Sequence, residues 1–508
     1  MIITRHLPEG EPRFTGITVT LNGIPVDTPL CRVSAFPYNT PWPGRQRPLD
    51  QTEEAAFLGF EADEPVTLHI RWAHPVRELT VRPLARGVQA VPDENTATVT
   101  LPAPGAYTVE ADGYHQALHV FFDPIRDFPA VAQGKAHILS FGPGVHEIGC
   151  MDLESDTAVL IDRDAYLYGS FRAVCAENID ILGYGVIDGS REVRTDENRL
   201  LLNDYTAPLP ADRENILRRL KQRHVLDGIL RFYRCRHIRV EGPTLRDAAT
   251  FAVIPAGCED VTLENIKTIG MWRYNADGID LFNCRDVRIR NCFLRNFDDC
   301  VVIKGIVGWD TADNADILVE GCVVWCDWGR NLELGAETNA PAFRNILFRN
   351  CDCIHGSTAF HDIAHRLGHL AAVHQQPAVA EDALGQRQIQ SHQHGGPQDG
   401  VEAQDLLADH VQVSRPELVV IVVGLVAVAQ RGDIVAQCID PDVHGVLGVE
   451  GDRDAPLDGG AGDAGILQAL LDEGDHLVLA ALRLDELGVL LVELQQAVGI
   501  LAGLEEVG

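Results

Sequence analysis

One apolar position recurs along the middle of this chain, at Ile179, Ile238, Val261, Val287, Ile317 and Ile346. From Ile238 onward the steps are 23, 26, 30 and 29 residues, a period at which repeats stack into solenoids. Four residues after every anchor stands Gly or Asn: Gly183, Gly242, Asn265, Asn291, Gly321 and Asn350. These two residue types best tolerate a left-handed backbone, which a tight bend at one fixed corner of every coil requires. A chain that turns the same corner at that period predicts a parallel β-helix, right-handed as parallel crossovers are. The 59-residue gap before Ile238 has room for another coil and a polar, helix-prone insertion around Asp212–Arg223.

The cysteines keep the same register. Cys235, Cys258 and Cys284 lie three residues before their anchors, and Cys292, Cys322 and Cys351 five after. In-register coils stack such thiols inside the cylinder, where free Cys packs as a small hydrophobe. That reading is preferred to a metal site at Cys351-Asp352-Cys353, and an odd total of 13 cysteines in a long chain does not suggest a disulfide framework.

Two other regions flank the repeats. Residues 15–125 alternate apolar and polar residues, as in Ile17-Thr18-Val19-Thr20-Leu21, Leu68-His69-Ile70-Arg71-Trp72 and Ala97-Thr98-Val99-Thr100-Leu101. Turn pairs Asn22-Gly23, Pro92-Asp93 and Asp112-Gly113 separate the runs. This predicts a small antiparallel β-sandwich over 1–125, structural or an ancillary cap. From 367 to 508 the alphabet changes: all 17 Phe, 9 Tyr, 6 Trp and 3 Met lie earlier, and Lys, Asn and Thr are absent. A β-helix cannot change to this alphabet within one cylinder. The tail is read as aberrant, translated from another frame or strand of GC-rich DNA after Ala359–Leu367, in preference to a helical appendage around Leu477–Val498. The expected architecture is therefore all-β, with the β-helix over 126–366, truncated, and a tail at 367–508 that is not a native fold.

A formal charge of −32 argues against nucleic acid and anionic membranes as partners. The longest apolar run, Leu418 to Ala429, is too short to span a bilayer. The N-terminal ten residues lack the apolar core of a secretory signal, so a cytoplasmic location is expected. Oligomeric state is not legible.

Each coil also has a strand that follows its open loop, and four of these align as Phe251–Ile254, Ile279–Phe282, Val301–Lys304 and Leu332–Gly335. Two residues before them stand Ala249, Asp277, Asp299 and Arg330. Coils of a parallel sheet lie about 4.8 Å apart. Asp277 and Asp299 are thus expected side by side on one outer face, with Asp298 beside them and Asp280 and Glu333 one step further in. Crowded carboxyls keep some protons above the usual pKa, giving the proton donor and the ionised base that glycoside hydrolysis uses. The alternative is a set of solvated turn aspartates.

Asn275-Ala276-Asp277-Gly278-Ile279-Asp280 followed by Asp298-Asp299-Cys300-Val301-Val302-Ile303-Lys304-Gly305 resembles the polygalacturonases, glycoside hydrolase family 28, and Gly183-Tyr184-Gly185-Val186-Ile187-Asp188-Gly189 is similar to that family's early coil motif. The resemblance covers about 135–358, and the sandwich resembles N-terminal domains of bacterial relatives and of dextranase-type β-helices. It implies an inverting hydrolase of a pectin-type galacturonan, without metal or organic cofactor. Asp298 would be the general acid, Asp277 and Asp299 would activate water, and Lys304 and Asp280 would face the sugar. Trp272, Arg273 and Tyr274 enter the same loop as a stacking wall or as core. The family's Gly-His-Gly is here Gly329-Arg330-Asn331, so a permanent cation replaces an imidazole. Arg330 would favour ionised acids or grip a substrate carboxylate. Phe297 stands before the Asp pair in place of a polar amide, and the later Arg-Ile-Lys clamp has no counterpart. Two rivals keep the fold: a pectate-lyase-like eliminase, and an inactive remnant that only binds carbohydrate. Exo action would need a wall at one end of the cleft, for which the 190–229 insertion is the candidate.

Overall fold

The computed structural model describes residues 1–35, 49–192, 212–222, 228–306 and 312–356, and further strand backbone at Phe360–Asp362, Leu370–Gln375, Val379–Ala380, Gly424–Gln430, Asp433–Ile439 and Val446–Gly448. The chain divides into two compact units, Met1–His394 and Gly395–Gly508.

In the first unit the anchors are the rungs of one parallel sheet. Ile179 pairs with Ile238, Ile238 with Val261, Val261 with Val287, Val287 with Ile317 and Ile317 with Ile346. This anchor face runs over nine strands from His137–Phe141 to Leu370–Gln375, past the composition break at 367. All six Gly/Asn corners have positive φ, from 52° at Asn265 to 134° at Gly183. A second left-handed corner stands immediately before each anchor, at Asn178, His237, Asp260, Asp286, Asp316 and Asn345. Each coil thus bends twice around its anchor strand.

After the Gly/Asn corner the chain enters a second parallel face, Val186–Asp188, Thr244–Arg246, Lys267–Met271, Phe293–Asn296, Val323–Cys326 and Asp352–His355. An open loop then leads to a third face, Leu230–Tyr233, Val253–Ala256, Ile279–Phe282, Val301–Gly305 and Leu332–Thr338. The bent strand Ala165–Val174 pairs into both. Inside the cylinder lies a dry core of Ile, Val, Leu and Cys. The Cys258 thiol meets Cys235 and Cys284, and the Cys322 thiol meets Cys292 and Cys351, as in-register stacking requires. Cys300 and Cys326 make a further pair that the anchor register did not single out. The insertion forms the helix Arg213–Gln222, whose start is capped by Asp212 accepting from the Asn215 N–H at 2.9 Å.

Residues 1–125 build two sheets around one apolar core. The alternating runs bury Ile17, Val19 and Leu21, then Leu68, Ile70 and Trp72, then Ala97, Val99 and Leu101. The expected antiparallel pairing has one exception: Leu118–Asp123 lies parallel to Thr52–Ala62, because the chain re-enters the sheet from the far side after the hairpins. Pro92-Asp93 lies in a short strand, and the left-handed bend falls one residue later, at Glu94. In the unit Gly395–Gly508, three strands pair antiparallel. Leu477–Val498 lies outside the described residues.

Candidate active site

Register positions the acids. Ile279 pairs with Val301 and Val301 with Leu332, so the residues two before them follow in line. The Gly278 N–H donates to the Asp299 carbonyl at 2.7 Å, and the Cys300 N–H to the Arg330 carbonyl at 2.8 Å. Asp277, Asp299 and Arg330 therefore occupy successive rungs, with Asp298 adjoining. The first member of the expected alignment differs. Val253, not Phe251, pairs with Ile279, because Val253 faces the core whereas Phe251 packs outside the cylinder. Phe251 rather than Ala249 is the residue beside Asp277.

These acids are not solvated turn residues. Asp277 is 2%, Asp280 0% and Asp298 7% exposed, while Asp299 is half-buried. Lys304, itself buried, donates to Asp280 Oδ2 at 2.9 Å and to Asp277 Oδ2 at 3.3 Å. The other oxygen of each, Oδ1, is buried without a hydrogen-bond partner among the described residues, a costly position for a charged group. Burial pushes Asp298 up to about 7, against the pull of Lys304 and with Asp280 and Glu333 adding repulsion. Burial likewise takes Asp280 to about 6 and holds Asp277 and Asp299 well above the usual carboxylate range. The expected influence of Arg330 is not the leading one: Lys304 is the strongest cation acting on Asp298 and Asp299, and burial outweighs it.

Arg330 is half-buried, and its backbone N–H donates to Asp299 Oδ1 at 2.8 Å. Gly329 is required by space: a Cβ there would lie 2.4 Å from Asp298 Oδ1 and 2.6 Å from Asp299 Oδ1. Glu333 is buried in the same floor. Of the three loop residues, Arg273 is tied to Asp247 at 2.9 Å and to the Glu192 carbonyl at 2.7 Å, and Trp272 is buried. Tyr274 stays half-exposed and meets Trp328, ring centroids 6.2 Å apart, while Trp328 stacks on Phe297 at 5.7 Å. Phe297 thus supports an aromatic edge to the site. Trp328 was overlooked in the sequence, although it directly precedes Gly329. Glu337, which adds negative charge near Asp280 and Lys304, had no signal beyond its place in the strand after Arg330. Among the described residues no three His, Cys, Asp or Glu side chains are grouped to hold a metal ion.

The family model for glycosyl hydrolases family 28 matches residues 162–356. No curated protein matches the chain. Dex49A from Penicillium minioluteum is similar in structure at 13% identity and TM-score 0.47, over 74% of this chain and 88% of its own. The family 28 exopolygalacturonase of Yersinia enterocolitica shares 15% identity at TM-score 0.34, over 59% and 74%. The polygalacturonase from Erwinia carotovora ssp. carotovora shares 14% at TM-score 0.30, over 49% and 78%. Residues 162–356, which carry every one of these acids, form a glycosyl hydrolase family 28 domain, and such a domain supports an O-glycosyl hydrolase.

Proposed function

We propose that the chain hydrolyses a pectin-type galacturonan by single displacement with inversion at the anomeric carbon. Asp298 gives its proton to the leaving oxygen, and Asp277 and Asp299 take one from the attacking water. The observation that carries this reading is a cluster of buried carboxyls on adjacent rungs, Asp277 and Asp280 beside Asp298 and Asp299, sharing the one ammonium of Lys304, so that some members hold a proton while others are ionised. Inverting chemistry needs that division between a protonated and an ionised carboxyl, with room for water between. Lys304 donates hydrogen bonds to Asp277 and Asp280, which favour the ionised form of those two carboxyls. The Arg330 guanidinium offers a planar fork to a uronate carboxylate, and the Tyr274–Trp328 edge a surface for a sugar face.

The test is release of reducing ends from polygalacturonate and from uncharged plant glycans, with the anomer of the first product read by NMR. The inverted anomer from polygalacturonate is expected, with Asp298→Asn lowering turnover by about 10²–10⁴-fold. A product with the ultraviolet absorbance of an unsaturated uronide would establish elimination instead. Binding without turnover of any glycan would leave only the remnant reading.

A further inference from the structure

The third face, which carries the acids, is not uniform along the coils. On the rungs C-terminal to Asp277 the turn residues reach the surface: Asp299 and Arg330 are half-exposed. On the N-terminal side they do not. Ala249 and Thr250 are 0% exposed and Phe251 5%.

The helix Arg213–Gln222 helps to cover Phe251. Its Ile216 is fully buried in an apolar cluster outside the cylinder with Val174, Tyr233, Phe251, Ile254 and Phe282, and Leu217 packs against it. Arg213, Glu214 and Arg218 on the same helix keep exposed or half-exposed positions, so one face of the helix is seated on the sheet. The cluster reaches the chemistry directly. The Phe251 ring lies 4.7 Å from Lys304 Nζ, the ammonium that holds Asp277 and Asp280.

We propose that Ile216, Tyr233 and Phe251 form a wall closing the N-terminal end of the cleft, so that the enzyme removes sugar from a chain end and does not cut within the chain. This rests on the hydrolase reading above. A polysaccharide lying along the stacked turns crosses one coil about every 4.8 Å, close to the length of one sugar unit. The rung before Asp277 is already the Phe251 rung. On that side of the scissile bond the floor is occupied after about one sugar, whereas on the other side the turns remain open at Asp299 and Arg330. The long step from Ile179 to Ile238 supplies the extra chain that an open cleft would not need.

The probe is a galacturonan hexamer carrying a bulky fluorophore on one end or on the other. Capping one particular end is expected to lower turnover about tenfold or more, while uncapped hexamer yields a single short product from the first time points. Ile216→Ala is expected to add other product lengths. Equal cleavage of both capped forms, with mixed lengths from the start, overturns the wall. Calorimetry on the Asp298→Asn protein reads the wall without turnover: one capped hexamer should bind about tenfold more weakly than the other, and equal binding overturns it. Unequal binding with no hydrolysis by the unmodified chain would sink the hydrolase reading and leave the wall standing.

Discussion

Asp277, Asp280, Asp298 and Asp299 share one desolvated patch with a single buried ammonium, Lys304, and they cannot all be charged at neutral pH. Asp298 illustrates the consequence for stability. Its pKa is about 7 in the fold against an ordinary 3.8, so the folded state binds the extra proton between those values. Stability contributed by this group is present below about pH 4 and is lost as pH rises toward 7, at up to about 1.4 kcal/mol per pH unit. Replacing Asp298 with Asn removes that slope, and denaturant unfolding from pH 4 to 7 should show a flatter profile for the variant, with higher stability than the parent at pH 7. An unchanged slope would mean that Asp298 ionises in the fold as an ordinary carboxyl. Gly329 tests the packing side of the same patch. Gly329→Ala forces a methyl against two carboxylate oxygens, and overpacking of this kind costs about 1–3 kcal/mol. Turnover should fall further than substrate binding, because the displaced groups are Asp298 and Asp299. An Ala variant with unaltered kcat would show that the acids need not be held so tightly.

At the level of the coil, the corner residues carry the fold, and they also show how much was readable. Ile238, Val261 and their fellows could be aligned because the interior admits only apolar side chains and every coil repeats that demand. The Gly/Asn corner was equally plain, since few residue types accept φ near +50°. The companion corner before each anchor escaped notice because Asn178, His237, Asp260, Asp286, Asp316 and Asn345 read as ordinary polar surface, although Asn, Asp and His are the non-glycine types enriched there. The slip at Phe251 has a different cause. An apolar residue in a loop-to-strand junction fits either side of a sheet, and only the helix Arg213–Gln222, far away in sequence, makes the outside apolar. The acid cluster was legible as a spacing, but its proton affinity was not, because desolvation depends on what covers the residues. The corner makes its own prediction. Asn291 is exposed, with φ of 53°; Asn291→Ala should cost about 1–2 kcal/mol, the left-handed penalty for an ordinary residue. Asn291→Gly should be close to neutral. Equal losses in thermal or denaturant unfolding would indicate that the side chain, not the backbone, matters there.

At the scale of the first unit, the β-sandwich is bound to the second face of the helix by a core of its own. Leu7, Val33, Phe57 and Phe121 from the sandwich interleave with Tyr166, Ile269, Phe293, Val323 and Trp325 from the coils. Polar ties lie within and beside that core. Lys267 donates to Asp123 at 2.6 Å, Arg5 pairs with the same carboxylate, and Arg295 meets His119 at 2.9 Å while lying 3.7 Å over the Trp325 ring. Burial works to raise Asp123, but Lys267 and Arg5 outweigh it and hold it below the usual range. Its contribution to stability is therefore present at neutral pH and lost as pH falls through its folded pKa, the reverse of Asp298. A surface this apolar would not remain dispersed in water if uncovered, so the sandwich and the coils it covers should unfold as one. Phe293→Ala removes a ring packed 5.2 Å from both His119 and Phe121, a loss of about 3–5 kcal/mol for a buried Phe. Hydrogen exchange in Leu118–Asp123 and in Val323–Cys326 should report the same free-energy decrease for this variant, since neither strand can open alone. Protection that falls only in the coils, with the sandwich untouched, would show that the two fold independently and that the shared core is a contact rather than a foundation.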